Sequence, residues 1–161
     1  MRPSAPQIAY RWLLQGSTPH RASKRLWHAT QHNFQKFDPN LSGLGTHFGS
    51  QLAASTRAMT AGGGGWKIKP FDVNLGKSLR MVDVGGWDSE QQIEHGLIKA
   101  GVIEPKDLIE SRRLSGVAFW KWARGKVEGA GYKSVVYSNR LEDPGSNAYI
   151  VWHSNQIRPL K

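Results

Sequence analysis

Residues 27–54 read WHATQHNFQKFDPNLSGLGTHFGSQLAA, and two short polar clusters in this run, His28-Ala29-Thr30 and Gly45-Thr46-His47-Phe48-Gly49, interrupt strand-like surroundings. A histidine close to a hydroxyl, followed by a Gly-rich turn and an aromatic, supplies donors, acceptors and a flat stacking surface within a short reach. That set suits a planar, charged ligand better than a packed core. Taken alone, His28 reads as a structural residue. Leu26 to Ala29 reads as a short buried strand that lets His28 and Thr30 face a cleft, and Thr46 to Phe48 as a second strand. Successive side chains on a strand alternate in direction, so only one of His47 and Phe48 faces a ligand.

Working outward, Ser50 is an N-cap for a helix through Ala53, Ala54, Arg57 and Ala58, which the run Gly62 to Gly65 ends. No Gly-Lys-Ser/Thr follows those glycines, so a phosphate-binding P-loop is not supported. Trp66, Ile68, Pro70 and Val73 read as extended chain, and Leu79 to Val84 as a further strand before the Gly85-Gly86 turn. Ser89 and Gln92 form a capping-box pattern opening a helix that Gly101 closes, with Ile93, Leu97 and Ile98 on one face. Pro105 starts another helix carrying Leu108 and Ile109 as core residues. A third, from Ser115 to about Lys126, carries Val117, Phe119, Trp120 and Ala123 as core residues. Of Trp120 and Trp122, one is expected in the core and one on the surface.

Ser134 to Tyr137 is a strand, the polar stretch Ser138 to Asn147 a loop, Ala148 to Trp152 the most strand-like segment of the chain, and a last short strand is expected before Lys161. On the other side of the opening run, Phe34 and Phe37 read as core anchors and Asp38-Pro39-Asn40 as a turn. Residues 1–25 read as an N-terminal arm with Trp12 packed on the domain, and residues 26–161 as the domain itself. Strands at both ends flanking central helices predict an α+β domain, without the alternating rhythm of a doubly wound sheet.

The 161-residue chain is within the usual size of one domain. Lys and Arg outnumber Asp and Glu by 22 to 12, a formal +10, which raises the encounter rate with RNA, DNA, nucleotides or an acidic protein. A solvated basic surface has the same composition. Cysteine is absent, which excludes disulfides, cysteine-based zinc sites and thiol nucleophiles. His28 and His32 have metal-binding spacing without the glutamate of HExxH, so no metal is expected. No Gly-x-Ser-x-Gly or dinucleotide-binding glycine fingerprint occurs. Neither a membrane span nor an apolar signal core is visible, so a soluble protein is expected.

In order along the chain, LWHATQHNFQKFDP, GLGTHFGSQLAAS, LRMVDVGGWD and GYKSVVYSNRLEDPGSNAYIVWHSNQIRP resemble the ADP-ribosyltransferase superfamily. The likeness is to the small bacterial and phage transferases with a His-x-Thr first motif. The resemblance implies two small antiparallel sheets set across each other, flanking helices, and NAD in the cleft between the sheets. It also implies a cytoplasmic site of action as a toxin, effector or phage-encoded modifier, transfer of ADP-ribose from NAD to RNA, DNA or protein, and an antitoxin or immunity protein as a possible partner. On this resemblance His28 bonds the ribose hydroxyls, the backbone of Ala29 clamps the nicotinamide amide, and Thr30 supports it. Gly45, His47, Phe48 and Ser50 of the second motif, with Asn139, lie against the cofactor. Many relatives carry a glutamate just before the Tyr-Ile-Val strand, where this chain has Ala148. Glu142, six residues upstream in the polar loop with Asp143 beside it, is the candidate replacement; a solvated loop charge is the alternative. Gln156 reads as a cap of the last turn. A relative that holds NAD, ADP-ribose or RNA without transferring anything is the alternative function.

Overall fold

The computed structural model describes residues 23–32, 37–38, 40 and 43–161. The expectations for Trp12, Phe34 and most of the arm fall outside these residues. Among the described residues, seven strands and four α-helices follow the order β1 (Ser23–Thr30), β2 (Thr46–Phe48), α1 (Gln51–Ala61), β3 (Lys67–Asn74), β4 (Ser78–Arg80), α2 (Glu90–Lys99), α3 (Leu108–Ser111), α4 (Val117–Gly129), β5 (Ser134–Ser138), β6 (Asn147–Val151) and β7 (Ile157–Pro159). β1 is longer than expected and takes in Ser23, Lys24 and Arg25, which the sequence reading gave to the arm.

The strands form a three-stranded sheet, β1-β3-β7, and a four-stranded sheet, β2-β6-β5-β4. This is the expected α+β architecture of two small sheets. The sheets are not wholly antiparallel, however: β4 runs parallel to β5, with Leu79 opposite Val135. Ser78 and Ser134 hydroxyls lie 2.6 Å apart at the start of this pair, and Ser134 also donates to the Leu75 carbonyl.

The four-stranded sheet is the middle layer, and the period-2 geometry of a strand shows why. Val135, Tyr137, Ala148 and Ile150 point to one side and pack with Ile93 and Leu97 of α2 and Phe119, Ala123 and Val127 of α4. Val136, Tyr149 and Val151 point to the other and pack with Leu26, Phe48, Phe71 and Val73 between the sheets. A strand buried on both faces reads as an unbroken apolar run, which is what SVVY and AYIVW are.

Ser50 and Ser89 both cap as expected, accepting from Ala53 N–H and Gln92 N–H. Gln156 holds the last turn, its amide nitrogen donating to the carbonyls of Asn74 and Lys133 and its oxygen accepting from His153 N–H. Three expectations fail. Val117 and Ile109 are exposed, since each stands where its helix faces water. Trp120 and Trp122 are both half-buried, packing against Phe119 at ring distances of 5.0 and 5.7 Å. The strand expected over Leu79 to Val84 stops at Arg80. Beyond it the chain turns under α2, where a Cβ on Gly96 would lie 2.6 Å from Met81 Cε and 2.8 Å from Val84 Cγ1, so glycine lets these side chains pack against the helix without shifting.

Candidate functional site

A cavity of about 960 Å³ opens between β1, β2, α1 and the chain following β4 and β5. It is lined by His28, Ala29, Thr30, Gly45, His47, Phe48, Asn139, Glu142 and Ala148. Eight of these are site residues expected from the sequence, and Ala148 is the position where a glutamate was missed. Ser50 is the exception and does not line it. Its hydroxyl is committed to capping α1 and donates to Asp143, so its role is to tie the helix to the β5–β6 loop.

The two sheets meet at Trp27, whose N–H and C=O bond Gly49 at 2.9 and 3.0 Å. Backbone groups alternate along a strand, so Ala29, two residues on, presents its N–H and C=O to the same edge. His28 Nδ1–H donates to the His47 carbonyl at 2.8 Å. The ring sits among Phe37, Phe48 and Phe71, with centroids 5.6, 5.4 and 6.4 Å away. Burial lowers its pKa, opposed by the bond to the His47 carbonyl and reinforced by the Arg57 charge. In the neutral ring that the lowered pKa favours, with Nδ1 protonated, Nε2 is an acceptor. Thr30, itself buried, accepts from His32 N–H at 3.1 Å and keeps its own O–H to give.

Gly45 owes its identity to β6 rather than to a ligand: a Cβ there would lie 2.5 Å from the Val151 carbonyl oxygen. The choice between His47 and Phe48 follows the alternation. Phe48 packs between the sheets against Phe71 and Phe37 at 5.5 and 5.8 Å. His47 stands on the opposite side with its Nδ1 3.0 Å from Tyr137 Oη, and Trp87 meets it edge-on at 5.7 Å. Burial first, then the charges of Arg57 and His28, bring the His47 pKa down to about 4.

Asn139, buried, organises the loop after β5. Its Oδ1 accepts from Leu141 and Glu142 N–H at 3.0 and 2.9 Å, while its Nδ2 donates to Glu142 Oε2 at 3.0 Å. Glu142 Oε1 lies 3.4 Å from Arg57 Nη1. The loop folds back as a closed turn and delivers its carboxylate to the cavity wall. Across the strand pair from Ala148 stands Tyr137, whose phenol lines the cavity beside it. Burial, with the charges of Glu142 and Asp83, raises the Tyr137 pKa, which keeps it protonated.

Sequence reasoning gave no role to Arg57, Trp66, Asp83, Trp87 and Tyr137, which also line the cavity. Asp83 Oδ1 accepts from Gly85 N–H and Trp87 Nε1–H at 3.0 and 3.1 Å, and holds the Trp87 ring 4.4 Å from Tyr137. The signal was present in LRMVDVGGWD, where an aspartate two residues before a glycine is Asx-turn chemistry. Trp66 is pinned by its Nε1–H to the Gly62 carbonyl at 2.8 Å. Among the described residues no three His, Asp or Glu side chains gather so as to hold a metal ion, and no helix is long and apolar enough to cross a membrane.

No protein-family model matches the chain, and no curated protein matches it. Among solved structures it is similar to a crystal structure of an anti-CRISPR protein, with 14% identity and a TM-score of 0.42 over 86% of this chain and 96% of that one. A likeness that slight carries no argument about function.

Proposed function

We propose that the protein is a mono-ADP-ribosyltransferase that moves ADP-ribose from NAD to a macromolecular acceptor, nucleic acid or protein, and releases nicotinamide. The observation that supports this reading is convergence: His28 and Thr30 from β1, His47 from β2, and Asn139 and Glu142 from the β5–β6 loop line one cavity. Its volume is at the upper end of the range for small-molecule and cofactor sites, and its aromatic rings, neutral acceptors and Arg57, with four carboxylates also in the lining, supply stacking surfaces and hydrogen-bonding groups for the rings and riboses of a dinucleotide.

In this reading His28 Nε2 accepts from a ribose hydroxyl, while Thr30 and the backbone of Ala29 hold the nicotinamide amide. His47 and Trp87 form an aromatic wall beside the ring, and Trp66 offers a second flat surface for adenine. The C1′–N bond breaks with its electron pair leaving on nicotinamide, which departs neutral and needs no proton. The remaining ribosyl cation resembles that of glycoside hydrolysis, and the Glu142 carboxylate stabilises it electrostatically. An acceptor nucleophile then bonds C1′ and gives up its proton to Glu142 or to water.

Incubated with labelled NAD and cell extract, the protein is expected to release nicotinamide and label macromolecules, and His28→Ala to abolish both. Glu142→Gln is expected to lower the rate by two or more orders of magnitude, the usual scale for losing one electrostatic group, with NAD binding retained. Binding without turnover in the unmodified protein would instead favour a non-catalytic NAD or ADP-ribose binder, the reading that Ala148 at the usual glutamate position supports. Nuclease or protease treatment of labelled extract then assigns the acceptor.

A further inference from the structure

We propose that Arg57 is the anion-binding residue of this cavity, the group that takes the diphosphate of a dinucleotide, and that Glu142 occupies it until the ligand arrives. The inference rests on the dinucleotide reading above. Among the described lining residues Arg57 is the only lysine or arginine; the carboxylates of Asp38, Asp83, Asp88 and Glu142 also line the cavity, and Glu142 contacts Arg57. The protein is strongly basic overall, yet the described lining offers a dianion one cation. Both histidines are held toward the neutral form, in part by Arg57 itself, so neither competes for the role.

The guanidinium is held only loosely. Its contact with Glu142 is 3.4 Å long, and the two side chains are 67% and 26% exposed. Ion pairs exposed to this degree contribute little, so a diphosphate displaces the single carboxylate. Glu142 keeps its other oxygen on Asn139 Nδ2 and is left with Oε1 free, facing the cavity at the moment the ligand is bound.

The test is calorimetric titration with inorganic pyrophosphate in the absence of divalent cations. Arg57→Gln is expected to weaken binding at least tenfold. Glu142→Gln, which removes the competing carboxylate, is expected to tighten it about threefold or more, a sign that a merely structural role does not produce. Arg112→Gln, an exposed arginine outside the cavity, is expected to change affinity less than twofold. Absence of binding by the unmodified protein, an Arg57→Gln loss no larger than that of Arg112→Gln, or weaker binding by Glu142→Gln would each overturn the proposal. Nicotinamide release from NAD is scored separately. Failure there removes the transferase reading whatever pyrophosphate does, whereas unchanged pyrophosphate affinity in Arg57→Gln of a protein that turns over NAD removes only the role of Arg57.

Discussion

Neutral His47 makes the fold sensitive to acid. Its folded pKa of about 4 lies below the ordinary 6.5, so between those values the unfolded chain binds the proton first and stability rises with pH. The contribution is fully present above pH 6.5 and is lost as pH falls to about 4, a total on the order of 3 kcal/mol at 1.36 kcal/mol per unit. His28 shifts the same way. Urea unfolding at pH 7 and pH 5 is expected to show a loss of about 2 kcal/mol, reduced in His47→Gln; an equal loss in both proteins would exclude His47 as the cause. The placement of His28 and Thr30 on the cavity wall was legible because the Gly-rich cluster that follows them in the same run lines the same cavity. Arg57 and Tyr137 were not, since an arginine on a helix and a tyrosine in an apolar strand look the same whether they face water, core or cleft. Ser50 was legible as the helix cap, whereas its distance from the cavity was not, because a hydroxyl beside a site and a hydroxyl capping a helix have the same sequence signature.

At the scale of the element, β2 depends on its close approach to β6. Gly45→Ala is expected to destabilise the protein by about 1–3 kcal/mol, the usual cost of overpacking, because its Cβ would lie 2.5 Å from the Val151 carbonyl oxygen and 2.9 Å from Ile150 Cγ2. Gly64→Ala is the control: a Cβ there meets nothing within 4 Å, and the change is expected to stay within about 0.5 kcal/mol. Thermal or denaturant unfolding distinguishes them, and equal stabilities would remove the packing argument. Helix positions were largely legible because caps announce them: Ser50 and Ser89 were both found. Strand limits were less so. β1 gains Ser23, Lys24 and Arg25 through pairing with Asn74, Val73 and Asp72, a partnership that no local pattern encodes. β4 ends at Arg80, with Met81 N–H still bonded to the Val136 carbonyl of β5.

At the scale of the whole molecule, a ligand in the cavity touches both sheets and α1, so it stabilises the entire domain. NAD at a hundred times its dissociation constant is expected to add about 2.7 kcal/mol, which for a chain of this length raises Tm by about 5–10 °C. A scan showing no shift at such a concentration would exclude the cavity as an NAD site. The α+β class was legible from the order of elements, but the parallel pairing of β4 with β5 was not, since two short strands 56 residues apart carry no mark of relative direction. That pairing has a directional consequence. Two strands running the same way exit at the same end, so the turn after β4, with Asp83 and Trp87, and the loop after β5, with Asn139 and Glu142, emerge side by side at one lip of the cleft. A reversed β4 would send its turn to the far end. Parallel neighbours also require a long crossover, here the α2–α4 region, so the two halves of the lip assemble differently. The Glu142 half closes locally, in the loop between adjacent strands, while the Trp87 half meets it only after β4 and β5 pair across the 56 residues between Ser78 and Ser134.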